Sequence, residues 1–268
     1  MATDVQPAPA VLPRLPRIRP PLALLTLLGA LLIWQAATML LHIPAYLLPP
    51  PTAIAASLVS HWQIMAANAW VTMLEVVFGF AISVLLGVPL AVLITYSAAL
   101  DRALYPLIVG SQTIPKVAIA PLLLAWLGFG LAPKMAIVVL IAFFPIVINA
   151  VVGLRAASPQ MLYLAQSMGA TSWQIFWRFR LPHALPNMFA GLKMATVLSV
   201  TGAVVGEFVG ADSGLGYVIM VAGSNFQIDL QFAAIILLCV IGVVFFGLLG
   251  WAERRLLPWH VSIRGSDL

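Results

Sequence analysis

Six apolar stretches, at 22–41, 71–95, 106–127, 134–154, 188–210 and 231–252, constrain this chain more than any other feature. A helix crossing the roughly 30 Å hydrocarbon core of a bilayer needs about 20 such residues, and only a helix or a closed barrel satisfies its backbone polar groups there. The pattern predicts an all-α polytopic membrane bundle of six transmembrane helices. Composition agrees, because 63% hydrophobic and 8% charged residues exclude a water-soluble globule, in which about a quarter of residues are charged. Arg14, Arg17 and Arg19 precede the first stretch as they would in a signal peptide. The stretch is too long for an h-region and no A-x-A site closes it, so it reads as a retained anchor.

Basic residues orient the bundle, since cytoplasmic loops hold their excess. With the N-terminus inside, the inner segments carry Arg14, Arg17, Arg19, Arg102, Arg155, Arg178, Arg180, Lys193, Arg254, Arg255 and Arg264, eleven of the 13 Lys and Arg. Lys134 falls at an outer boundary and Lys116 within a span, while the outer connections 42–70 and 211–230 hold neither Lys nor Arg. Both termini are therefore expected in the cytoplasm. Residues 1–21, broken by six prolines, predict a disordered basic tail near anionic headgroups, and 256–268 a second cytoplasmic tail. Ala53 to Asn68 reads as an interfacial helix against the bundle.

Several function classes drop out. The net charge of +5 is spread too thinly to form a phosphate-binding stripe, so no nucleic acid is expected. Cys239 is alone, the histidines at 42, 61, 183 and 260 are scattered, and HExxH and G-x-S-x-G are missing. Neither a metal site, a cofactor nor an enzyme is expected. No internal repeat supports an inverted-repeat carrier. An ion-coupled carrier should also show paired ionisable groups deep in the bundle, where the sequence places only Lys116.

Within the spans, Gly202, Gly206 and Gly210 form one small face and Gly79, Ser83 and Gly87 another, so each helix invites close approach by a neighbour. That neighbour is either a second subunit or another helix of the same chain. Pro89, Pro115, Pro121 and Pro145 predict kinks, with the two prolines of the third span marking it as the most deformed and the pathway candidate. Lys116, at a cost of about 2.5–3.5 kcal/mol near a span centre, either attracts an anionic substrate beside the pathway, pairs structurally with a carboxylate, or sits nearer the inner interface than the span boundary implies. Glu207 and Glu75 lie near outer span ends. Glu207 is a translocation or gating candidate and Glu75 reads as a snorkelling or capping residue.

The segment from Arg155 to Asn187 is the most informative. Ser158-Pro159 opens a short helix that Gly169 stops, giving 159–168, and Thr171 with Gln174 opens a second that Pro182 ends. Trp173, Phe176, Trp177 and Phe179 crowd the second helix beside Arg178 and Arg180. So much apolar area needs cover, by lipid headgroups or by a groove in a partner.

Ala165-x-x-x-Gly169, nine further residues and then Phe179-x-Leu181-Pro182 resemble the EAA cytoplasmic loop of binding-protein-dependent ABC import permeases. LPPPTAI (48–54), QTIPKVAIAPLLLAWLGFG (112–130), FFPIVINAVVGLR (143–155) and GEFVGADSGLGYVI (206–219) are similar to the nitrate, sulfonate and taurine branch. Tyr163 and Leu164 stand where the family has Glu and Ala, and Phe179 where it has an aliphatic residue, so contacts of that Glu do not carry over. The resemblance implies that Ala165, Gly169, Leu181 and Pro182, with Ala170 and Trp173, couple to an ATPase. The pathway candidates, Lys116, Pro115, Pro121 and Glu207, come from the spans themselves and not from the resemblance. The resemblance further implies two permease chains, two ATP-binding subunits and a solute-binding protein in a bacterial inner membrane. The chain has no GxxxxGK[ST] loop, so ATP and Mg²⁺ would bind the partner, and no cofactor this chain. The expected solute is small and anionic, such as nitrate, taurine, another sulfonate or an aromatic carboxylate. The alternative is a vitamin precursor such as a pyrimidine or riboflavin.

Overall fold

A computed structural model describes residues 22–259; the expected tail at 1–21 and residues 260–268 of the one expected at 256–268 lie outside the described residues. The order is α1 (Leu22–Leu40), α2 (Pro51–Ser60), α3 (Trp62–Tyr96), α4 (Ala98–Gly110), α5 (Ala120–Leu127), α6 (Leu131–Arg155), α7 (Pro159–Ser167), α8 (Ser172–Ile175), α9 (Leu181–Gly210), α10 (Leu215–Ser224) and α11 (Ile228–Leu256). No strand occurs among the described residues. Among the described residues four helical runs are long and apolar enough to cross a membrane: α3, α6, the continuous run Ser172–Gly210 and α11. The 19 residues of α1 would span about 28 Å.

The third expected span is not one helix. It divides into α4 and α5, bent by 91° across Ile114 and Pro115, with short 3₁₀ turns at Ser111–Thr113 and Lys116–Ile119 on either side. Pro115 and Pro121 lack the donors a continuous helix would need, and Pro121 instead takes a first-turn position of α5 where that donor is not missed. Pro89 and Pro145, by contrast, sit inside unbroken helices. The second span is also longer than expected: α3 has 35 residues, about 52 Å, and absorbs the second half of the anticipated interfacial helix. What remains of the latter is α2, whose Thr52 N–H donates to Gln35 Oε1 of α1 while Gln35 Nε2 donates to Thr52 Oγ1.

The most deeply buried of the four long runs is α6, lying between α3 and α9, while α11 is the most peripheral. The small faces explain this order. A Cβ on Gly202 would lie 2.9 Å from Val138 Cα, one on Gly206 3.1 Å from Lys134 Cα, and one on Gly210 2.6 Å from Leu124 Cδ2. On the other side Gly87 faces Ile146 and Val147, and Ser83 is fully buried. Both stripes therefore pack within the chain, on α6 and α5, which settles the choice between partner helix and partner subunit for these residues. Ala142, Ile146 and Ala195 make a core between α6 and α9, backed by Phe80, Val84 and Val88 of α3.

Candidate coupling and translocation sites

At the Arg155 end of α6 the chain leaves the bundle and forms a hairpin by local chemistry. Ser158 Oγ accepts from Met161 N–H and caps α7. Gly169 has φ +78°, a conformation that disfavours any side chain, and the turn closes with Gly169 N–H donating to Gln166 O and Ala170 N–H to Ala165 O. Thr171 and Gln174 then exchange the two bonds of a capping box. Pro182 does not end this second helix, contrary to expectation. A five-residue π turn, Phe176–Arg180, lets Leu181 N–H reach Phe176 O, and the wider turn accommodates the proline without a break. Ser172–Gly210 is consequently one rod of 39 residues.

The hairpin exposes Trp173 (70%), Met168 (80%) and Tyr163 (70%), whereas Ala165 and Ile175 are buried beneath. Gly169 is exposed, and Ala170, Leu181 and Pro182 are half-buried. Trp173, Phe176 and Trp177 pack on one another, and Phe176 also meets Tyr96 at the end of α3. Arg180 lies over the Tyr96 ring, while Arg155 stacks on Tyr105 and donates to Asp101 Oδ1 at 2.5 Å. These contacts fasten the hairpin's base to α3 and α4.

Lys116 lies just past the break, half-buried, with its ammonium 4.8 Å from the centre of the Phe144 ring. It opens onto a pocket of about 240 Å³ lined by apolar residues together with Gln112, Lys116, Phe144 and Thr201. No carboxylate lines that pocket, so a structural ion pair is not what holds Lys116 there. Pro115 and Pro121 are exposed on either side of the turn that positions it. Gln112, Phe144 and Thr201 were not singled out by sequence reasoning. Two of them sit on the α6 and α9 faces opposite Lys116, and nothing local announces that.

Glu207 is elsewhere. It is fully buried near the end of α9, where Oε1 accepts from Thr72 Oγ1 at 2.6 Å and Oε2 from Gly216 N–H at 2.5 Å. Thr72 Oγ1 in turn accepts from Leu215 N–H, and Asn68 Oδ1 from Gly214 N–H. Beside them Lys134 Nζ donates to Glu75 Oε1 at 2.9 Å and to Ser213 O at 3.3 Å. Glu75 neither snorkels nor caps: it is 0% exposed and ion-paired. Lys134 sits in the first turn of α6, at the edge of that span as expected, yet is buried within the protein, and Glu207 does not line the Lys116 pocket.

Residues 83–258, from the middle of α3 to beyond α11, match the family described as binding-protein-dependent transport system inner membrane component. The chain belongs to this family. It is 37% identical over 238 residues to a probable ABC transporter permease protein of Haemophilus influenzae, covering 88% of this chain and 97% of the relative. It is 36% identical over 231 residues to the formylaminopyrimidine transport permease protein ThiX of Halalkalibacterium halodurans (86% and 92%). With the taurine transport system permease protein TauC of Escherichia coli it shares 30% identity over 242 residues (86% of each). This ABC import permease is thus of the nitrate, sulfonate and taurine branch. Its fold is that of a chain in an inward-facing MetNI methionine ABC transporter structure, with a TM-score of 0.62 at 21% identity over 74% of this permease and 97% of that chain. It is a membrane transport subunit.

Proposed function

We propose that this permease carries a small anionic solute, delivered by a solute-binding protein, across a bacterial inner membrane, driven by two ATP-hydrolysing partners docked on the Gly169 hairpin of each of two permease copies. In this reading the Arg155 end faces the cytoplasm, with both termini, because the basic residues gather there. Helix α1 and the broken α4–α5 pair complete six spans. The observation that carries the reading is the continuous run from Ser172 to Gly210, which begins with exposed Trp173 and Trp177 and continues through the helical bundle as α9.

The cycle follows from that rod. ATP-driven closure of the partners displaces Trp173 and the turn at Gly169. A helix resists bending, so the displacement passes into α9 and, through the close contact of Gly191 with Pro145 and Asn149, into α6. Phe144 and Pro145 of α6 form one wall of the Lys116 pocket, so its shape responds. A lone ammonium with no carboxylate nearby favours an anionic solute such as a sulfonate, nitrate or carboxylate. A planar formylaminopyrimidine-like solute is a second reading: the Phe144 face supplies stacking, Gln112 and Thr201 supply hydrogen bonds, and the ThiX relative is named for such cargo.

The test is reconstitution with the partner ATPase and binding protein, comparing uptake of taurine and of formylaminopyrimidine. Gly169→Asp is expected to leave the permease inserted and ATP hydrolysis running while uptake falls. Parental uptake by this variant removes the coupling assignment. Lys116→Ala is expected to weaken taurine uptake more than formylaminopyrimidine uptake, and equal effects remove the anion assignment.

A further inference from the structure

The pathway described so far leaves Glu75, Lys134 and Glu207 unused, yet these are the costliest side chains to bury. Glu75 and Glu207 are 0% and Lys134 4% exposed. They gather around the start of α6, at the end opposite the hairpin, where Lys134 meets Glu75, 59 residues away in sequence. Removing charges from water is rarely repaid in stability, and an apolar core would hold these helices as well. What the charges supply is direction. Lys134 of α6 holds Glu75 of α3 and the Ser213 carbonyl. Glu207 of α9 and Thr72 and Asn68 of α3 take the successive N–H groups of Gly214, Leu215 and Gly216, where α10 starts. Four elements meet in two adjacent groups of buried bonds that fix their mutual register, with Glu75 Oε2 left without a hydrogen-bond partner.

Glu207 stands on the same rod as Trp173, about 50 Å away at 1.5 Å per residue. We propose that this cluster is the fulcrum of the rod: Thr72, Glu75, Lys134 and Glu207 are positioning residues that hold its far end against α3, α6 and α10 while the hairpin end is driven. Resting on the proposed docking of an ATPase at that hairpin, the fulcrum makes the far end a fixed block throughout the cycle. Thr72 is central, since its hydroxyl donates to Glu207 and accepts from Leu215. Valine at this position can do neither, and serine can do both.

The three pinned amides report directly on the cluster. Hydrogen–deuterium exchange of the full complex in lipid nanodiscs, with ADP and with ATP plus vanadate, reads the 211–218 and 159–178 peptides separately. In the parent, exchange at 159–178 is expected to change with nucleotide while 211–218 stays protected in both states. Thr72→Val should raise exchange at 214–216 on the order of tenfold or more, as expected when buried donors lose their acceptors, and make it nucleotide-dependent; Thr72→Ser should match the parent. Parental 211–218 exchange that shifts with nucleotide as much as 159–178 overturns the fulcrum. So does a Thr72→Val complex whose 211–218 peptide stays nucleotide-insensitive. Should Thr72→Val not assemble, the parental comparison of the two nucleotide states still decides. A 159–178 peptide indifferent to nucleotide instead overturns the proposed docking, whatever the far end does.

Discussion

Substitution at the Glu75–Lys134 pair should produce an asymmetric loss of stability. Lys134→Met removes the ammonium that Glu75 Oε1 accepts from at 2.9 Å and leaves Ser213 O without its donor. It also leaves two carboxylates facing each other, because Glu207 lies within electrostatic reach of both Glu75 and Lys134. Breaking a buried pair in this way costs about 3–5 kcal/mol. Glu75→Gln keeps an acceptor for the ammonium and leaves Glu207 nearby as a counter-charge, so its cost is that of a weakened charged hydrogen bond, about 1.5–3 kcal/mol. The double variant removes both charges and should cost less than Lys134→Met alone, a coupling of roughly 2 kcal/mol or more. Equilibrium unfolding of the four proteins in mixed micelles measures this cycle. Additive single costs, or a Glu75→Gln loss exceeding that of Lys134→Met, would refute the buried pairing.

Two further outcomes follow from packing and from the broken span. Gly202→Val should cost on the order of 1–3 kcal/mol, because its Cβ would lie 2.9 Å from Val138 backbone, whereas Gly247→Val meets nothing within 4 Å and should be near neutral by the same unfolding measurement. Phe144→Leu removes the ring under Lys116, an interaction of about 0.5–2 kcal/mol, and should raise the solute concentration for half-maximal uptake without changing assembly with the partner ATPase.

What the sequence made legible was what local chemistry decides. The cap at Ser158, the left-handed Gly169 and the Thr171–Gln174 box involve residues at most a few positions apart, and each occurs where expected. Pro182 misled because a proline can be absorbed by a π turn as well as end a helix, and the turn at Phe176–Arg180 takes the first course. The start of α4 at Ser97, whose side chain accepts from Leu100 N–H, lay hidden because Asp101 and Arg102 interrupt the apolar run. Glycine spacing announced close approach at 202, 206 and 210 but could not name the partner, since the same stripe serves a subunit or a neighbouring span. The burial of Lys134 at the edge of its span was hidden for a related reason: hydropathy is summed along one segment, and Glu75, which makes that burial tolerable, is on another.

The buried pair bears on the choice between an ATP-driven importer and an ion-coupled carrier. The sequence argument against a carrier rested partly on the lack of paired charges in the bundle, and that premise fails at Glu75 and Lys134. The conclusion holds on different ground. A coupling ion needs ionisable groups that reach water from each side in turn. Glu75 and Glu207 are wholly buried, and the carboxylate oxygens of Glu207 are taken by Thr72 and Gly216 within the chain. The pocket at Lys116 does not extend to them. Uptake by the reconstituted complex should therefore need ATP and persist when a protonophore collapses the proton gradient, in the parent and in Glu75→Gln alike. Gradient-driven uptake without the ATPase, abolished by Glu75→Gln, would instead make this pair a proton-carrying site and reverse the argument.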